Sequence, residues 1–380
     1  MPFDCKKISQ IVNDLSQMER EFSDVINASA VQIAREKKVA LAEKVSEAKE
    51  SIYWKYFGQI SSVTKDIETI WELNQLSDKM RFSMKITPDG RSIVTLAAKD
   101  KLKFCDLKTG EVTGYLEAPT NMTGDQRLGY FFDGDFNIVF RPDWNLLFIL
   151  VDRYSNTVDK RVQRKMAVYD LDENRLLKKE DLGCSGAFAY DEEYNRMASC
   201  GYNRKILADW QNFEDVPEEM GYPKTMEFSD DGKYLLGFDC EKHLVIWDCE
   251  TGKVKTVLEA IRSYAFDGKR KIYTSHFRRA ELYSYDLETG QESTVMDRAR
   301  AFALAIDREF GNLIVSSKPY SDKDKTSEIS VIKMATGEIV HKFIVEDNVR
   351  TIEVGADDMI AFGCGYKNIE VYGKSKSVSQ

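Results

Sequence analysis

Few residues in this chain have types and spacings that could do chemistry. Its three histidines, His243, His276 and His341, stand far apart in 380 residues, so neither a shared metal site nor a histidine-centred acid–base pair is suggested. Seven cysteines, at 5, 105, 184, 200, 240, 249 and 364, are scattered singly with no C-x-x-C pair. That spacing fits neither a zinc ribbon nor a disulfide framework. Cys200 and Cys364 align in SCGY and GCGY, and we read them as small core residues. Asp125, Asp133 and Asp135 share one stretch and could offer oxygens to calcium, although a solvated turn uses the same residues. No G-x-G-x-x-G and no Walker pattern occurs, so no glycine loop cradles a phosphate. We expect no catalytic residue, no metal and no cofactor.

Composition bounds the elements that could position other groups. The apolar share is 43% and the charged share 31%, as in ordinary globular proteins and unlike disordered or collagen-like chains. No run approaches roughly eighteen uncharged apolar residues, and the start MPFDCKKISQ has no apolar signal core. We therefore expect a cytoplasmic chain. A net charge of −9 argues against general nucleic-acid binding.

Residues 5 to 66 lack proline, and their only glycine is Gly58. Ile8, Ile11, Leu15, Met18, Phe22 and Val25 recur at steps of 3 and 4. Leu41, Val45 and Ile52 repeat the rhythm with Ala48, and Ile60, Val63, Ile67 and Ile70 extend it. This is the seam of a coiled coil. The spacing predicts a long α-helical coiled-coil segment over 1–66, which oligomerises the chain or recruits a helical partner. A straight helix, a hairpin and a helix packed on the following domain all fit the pattern.

From residue 81 the texture changes to short β runs with turn signals. One pattern, an apolar strand, an acidic turn and a second apolar strand, occurs seven times, around Ile86, Phe140, Tyr190, Phe228, Phe266, Ile306 and Val354. A second hairpin pattern follows each copy, as in LVIWDCETGKV (244–254) and LYSYDLETGQE (282–292). Its last copy, NIEVYGKSK (368–376), stops at the turn. Two hairpins make four strands, here named a to d, and four-stranded units about forty residues apart are propeller blades. The repeats predict an all-β seven-bladed propeller over 67–380. An apolar strand near 68–75 would supply the missing fourth strand and close the ring.

Ile246, Trp247 and Asp248, with D-x-x-T-G turns at Asp106, Asp248 and Asp286, resemble the WD-repeat propeller proteins. No Gly-His pair occurs, so that family's Asp-His-Ser/Thr-Trp tetrad is not expected in most blades. A coil ahead of a propeller is similar in layout to Gβ subunits, Groucho-type corepressors and some autophagy scaffolds. The resemblance implies protein–protein interaction. Phe277, Arg278, Arg279 and Ala280 look like the FRRG motif of phosphoinositide-binding propellers, with alanine in place of glycine. That likeness implies peripheral membrane binding.

In a four-strand meander the b-c turns and d-a connections open on one face of the ring. Lysine and arginine outnumber acids in the b-c turns, with Arg153, Arg161, Arg164, Lys165, Arg204, Arg278, Arg279 and Lys318 among them. The three longest insertions, 117–135, 152–165 and 317–328, open on the same face, and the first carries Tyr130, Phe131 and Phe132. Long loops on a rigid scaffold carry binding, and aromatics near arginines suit hot spots. These residues predict a non-catalytic interaction scaffold, oligomerised by its coil, that binds an acidic or phosphorylated protein segment on its basic face. The competing readings are a propeller-type hydrolase with a channel carboxylate or metal site, and a phosphoinositide-binding peripheral propeller.

Overall fold

The computed structural model describes residues 57–64, 84–98, 101–118, 130–132, 138–141, 146–153, 163–173, 175–180, 187–191, 194–200, 206–208, 213–217, 221, 223–239, 241–297, 300–318, 326–364 and 368–374, preceded by Gln17, Gln32, 37–42, Lys44, Lys49, Glu50, Tyr53 and Trp54. The chain divides into two compact units, Met1–Tyr56 and Phe57–Gln380. In the first, every described residue is helical. The Trp54 indole N–H donates to Glu50 Oε1 one turn back, at 3.5 Å. No long helix is present among the described residues, whose longest helical run is 37–42. Of the expected seam residues before Phe57 only Leu41 is described, and it is helical and 64% exposed. Ile8, Ile11, Leu15, Met18, Phe22, Val25, Val45 and Ile52 lie outside the described residues. No helix is long and apolar enough to cross a membrane among the described residues.

The second unit is an all-β propeller. Its strands fall into seven antiparallel sheets. β1 (Phe57–Thr64) is first in the chain and pairs last. β2 (Met84–Ile86), β3 (Ser92–Ala98), β4 (Lys101–Asp106) and β5 (Val112–Glu117) form the first sheet. The second holds β6 (Tyr130–Phe132), β7 (Ile138–Arg141), β8 (Leu146–Arg153), β9 (Gln163–Asp170) and β10 (Arg175–Glu180). The third holds β11 (Ala187–Asp191), β12 (Arg196–Cys200) and β13 (Ile206–Ala208). The fourth is β14 (Pro223–Phe228), β15 (Tyr234–Asp239), β16 (Leu244–Asp248) and β17 (Val254–Leu258). The fifth is β18 (Ile261–Phe266), β19 (Lys271–His276), β20 (Leu282–Asp286) and β21 (Glu292–Met296). The sixth is β22 (Ala301–Asp307), β23 (Asn312–Ser317), β24 (Ser327–Lys333) and β25 (Ile339–Val345). The seventh joins β26 (Val349–Val354), β27 (Ile360–Cys364) and β28 (Asn368–Lys374) to β1, in the order β1-β28-β27-β26.

Turn chemistry explains the hairpins. The Asp106 carboxylate accepts the N–H groups of Lys108 (2.9 Å) and Thr109 (2.8 Å), and Gly110 closes the turn at φ +75°. Asp248 and Asp286 repeat the arrangement, with Gly252 and Gly290 at φ +71°. Only glycine reaches such φ values freely, which sets the D-x-x-T-G spacing. The Thr289 N–H, and then the Arg270 guanidinium at 2.6 Å, hold the Asp286 carboxyl down to about 2.

Apolar side chains alternate between strand faces and fill the gaps between neighbouring sheets. Shared cores join the first sheet to the second, the third to the fourth, the fourth to the fifth, and the fifth to the sixth. β7 lies against β11, and the Ser327 hydroxyl accepts the Val349 N–H (2.9 Å) between the sixth and seventh sheets. Val63, Ile86, Leu107, Ile369 and Val371 share a core between the last sheet and the first.

Three expectations are corrected. The strand that completes the last sheet is Phe57–Thr64, which the periodicity had assigned to the helix. Residues 68–75 lie outside the described residues. The register slips between Gln59 and Ser61, so Ile60 and Val63 both face the core three residues apart. A β-bulge thus mimics a helical step. Second, six sheets have four or more strands, but the third shows three among the described residues. Phe213–Pro217, expected near its fourth strand, is irregular and bonds to the fourth sheet instead. Glu214 exchanges contacts with Gly252, Trp247 and Val254. Third, Tyr130, Phe131 and Phe132 do not lie in a loop. They form β6, opposite Arg153, Asp152 and Val151 of β8. β-Formers beside an open strand edge pair with it.

Candidate anion-binding site

Four consecutive sheets begin their inner strands in the same way. In β14, β18, β22 and β26 the register slips after the first residue, at Pro223/Thr225, Ile261/Ser263, Ala301/Ala303 and Val349/Thr351. The extra residues are Lys224, Arg262, Phe302 and Arg350. A bulge re-aims the side chain it adds. All four stand where the d-a connections enter, on the face expected to be basic.

Three of these side chains, Arg262, Phe302 and Arg350, converge. The Arg262 guanidinium lies 4.6 Å from the Phe302 ring centroid and 4.7 Å from that of Phe277. Arg350 lies 5.0 Å and Lys318 5.6 Å from the Phe302 centroid. Lys242 continues the row, 5.9 Å from Phe277 and 5.4 Å from Phe238. Cation–π contacts hold the charges without neutralising them. Among the described residues Arg262, Arg350 and Lys318 make no ion pair. Arg262 Nε is buried without a hydrogen-bond partner. Burial, and then the like charges of Arg300 and Arg350, press the Arg262 guanidinium below its usual value. A cluster of this kind favours an anion that supplies acceptors to several donors at once. On the opposite face the carboxylates of the D-x-x-T-G turns are already engaged by backbone N–H groups.

The expected basic residues divide. Lys318 joins the cluster. Arg279 does not, because Glu292 holds it at 3.0 Å and it stacks on Tyr283 at 5.2 Å. Arg278 is exposed in the same turn. Arg153 ends β8, and Arg164 and Lys165 lie in β9 opposite Asp152 and Val151. Arg161 and Arg204 lie outside the described residues, as do Asp125, Asp133 and Asp135. Cys200 and Cys364 are both buried. Arg262, Arg300, Arg350 and Phe302 escaped the sequence reading, which searched turns rather than strand starts. The available signal was alignment on the repeat anchors: Lys224, Arg262, Phe302 and Arg350 each stand four residues before Phe228, Phe266, Ile306 and Val354.

Two other polar groups bear on the competing readings. Asp239, Glu241 and His243 bring ligand-type atoms within 4.8 Å of one another, the one such group among the described residues. Asp239 already pins its turn, accepting the His243 N–H (2.7 Å) and the Gly221 N–H (2.9 Å) while facing His243 Nδ1 at 2.9 Å. Deeper along the inner strands, the Lys85 ammonium pairs with Glu353 at 3.3 Å. Burial raises the Glu227 carboxyl above the ordinary carboxylate range, against the opposing pull of the Tyr264 hydroxyl and Lys85. Folding therefore favours protonated Glu227, and this contribution is complete at low pH and fades as pH rises through its raised pKa. Glu227→Gln should melt with wild type near pH 4 and above it by pH 8, as read by calorimetry across that range.

No protein-family model and no curated protein sequence matches the chain.

Proposed function

We propose that this chain is a non-catalytic interaction protein whose propeller receives an acidic protein segment on the cation-bearing end of its inner strands. We infer that the seven sheets are the blades of one closed ring, the third showing three strands among the described residues. The observation that carries the function is the convergence of Arg262, Arg350 and Lys318 on Phe302, with no ion pair to any of the three among the described residues. Charged groups without partners at the mouth of a rigid scaffold favour a ligand over stability. The N-terminal segment links copies of the chain, a reading supported by the exposed apolar Val39 (57%) and Leu41 (64%). Linked copies raise avidity without new contacts.

The test is affinity capture from native lysate on wild-type chain and on Arg262→Glu/Arg350→Glu chain of matched melting temperature. The wild-type bait should retain partners rich in Asp, Glu or phosphate, and the variant should lose them. Identical partners on both baits would end this reading and move attention to the Glu227–Lys85–Glu353 group, where a hydrolase would place its carboxylates.

A further inference from the structure

The geometry points to a phosphoryl site: Arg262, Arg350 and Lys318, gathered on the Phe302 ring, receive the phosphate of a phosphorylated serine or threonine in an extended peptide. This rests on the function proposed above and narrows it. A carboxylate offers two oxygens and one charge, whereas a phosphate monoester offers three terminal oxygens and about two charges at neutral pH. Three cations lie within 5.6 Å of one ring centroid, and none of them is ion-paired among the described residues. That arrangement suits a dianion better than a monoanion. Arg262 Nε supplies a buried donor with no partner in the protein.

The surroundings favour a peptide over other bearers of phosphate. Lys242 and Phe277 (48% exposed) extend the row beyond the cluster, which gives an extended chain a second cation and an apolar contact. The Phe302 ring is already flanked by three cations, which compete with a base for the stacking that single-stranded nucleic acid would need. Glu259, just before β18, and Glu346 and Asp347, just before β26, stand in the connections that lead to Arg262 and Arg350. A narrow peptide passes between them, while a broad anionic bilayer meets their repulsion. The arginine pair that resembles a lipid motif is also committed in part, since Glu292 holds Arg279.

The experiment uses the full chain and fluorescence anisotropy. The probes are a degenerate phosphoserine peptide pool, its unmodified serine counterpart, an Asp/Glu-rich pool, phosphoinositide-containing vesicles and a single-stranded oligonucleotide. The phosphoserine pool should bind at least about tenfold tighter than the serine pool. Arg262→Ala and Arg350→Ala should each weaken it about tenfold or more, as expected for loss of a charge-assisted hydrogen bond. Arg279→Ala, matched in melting temperature, should leave it unchanged. Binding should also fall below about pH 6, where the phosphate takes up its second proton. Equal binding of the phosphoserine and serine pools overturns the phosphoryl site. If the Asp/Glu-rich pool then still binds through Arg262, the broader function survives that failure. If no peptide pool binds, both fall. Vesicles or oligonucleotide bound through Arg262 and Arg350, with peptides ignored, likewise overturn the peptide assignment.

Discussion

A chain that begins at Lys65 is expected to aggregate or to melt without cooperativity, whereas one that begins at Phe57 melts as a single monomeric unit. The two differ only in β1. That strand pairs with β28 from Phe57↔Lys374 to Thr64↔Asn368. Its Val63 is 1% exposed and sits in the core shared by the first and last sheets. Its Ser61 hydroxyl also donates to the Leu107 carbonyl of the first sheet. Removing Val63 alone forfeits about 1.5–3 kcal/mol of burial. Removing the strand also bares the edge of β28, which becomes a template for pairing with other chains. Net stabilities of domains are about 5–15 kcal/mol, so losses of this size threaten the fold itself. Calorimetry and size-exclusion chromatography on the two chains provide the check. A Lys65 chain that melts like the Phe57 chain would show that the ring does not depend on β1.

Trp247→Ala should destabilise the propeller by about 3–5 kcal/mol, lowering the melting temperature by roughly 5–10 °C. The indole is fully buried in the core that joins the third and fourth sheets, among Phe213, Val216, Met226 and Leu235. Its N–H donates to the Glu214 carbonyl at 3.0 Å, which ties the irregular Phe213–Pro217 segment to the fourth sheet. Since the third sheet shows no regular outer strand among the described residues, this bond and the apolar contacts beside it hold that segment in place. Gly237 supplies an internal control. A Cβ there would come within 2.9 Å of Trp247 Cζ3 and 3.0 Å of Pro223 Cγ. Gly237→Ala should therefore destabilise wild type more than it destabilises Trp247→Ala, because the smaller residue leaves room. A double-mutant cycle by urea unfolding measures that coupling. Additive effects would mean that the indole does not set the space over Gly237.

The repeat was legible because turn chemistry is local. Asp at the first position and Gly at the last are dictated within five residues, so D-x-x-T-G at 106, 248 and 286 marked hairpins correctly without knowledge of the ring. Alternation within strands is equally local, and Leu235, Ile246, Ile272 and Leu313 are fully buried. The failures share one cause. A bulge inserts a residue according to the register with a neighbouring strand, and register is not written within the segment itself. Ile60 and Val63 therefore carried a helical spacing while sitting in a strand. For the same reason Arg262, Phe302 and Arg350 read as ordinary strand residues, although bulges turn them toward a common point. Charge counting named Lys318 but not the other residues that meet on Phe302, and it included Arg279, which is held by a glutamate thirteen residues on.

By itself, then, the amino-acid order determined a β-propeller and the Asp-turned hairpins of which it is built. Those features depend on periods of two and on turns of four or five residues. Tertiary structure alone decided which strand completes the last sheet, how Phe213–Pro217 substitutes for a regular edge, and which cations gather on Phe302. Each of these depends on pairing between segments tens to hundreds of residues apart, where backbone hydrogen bonds from distant strands choose the register and hence the direction of every side chain.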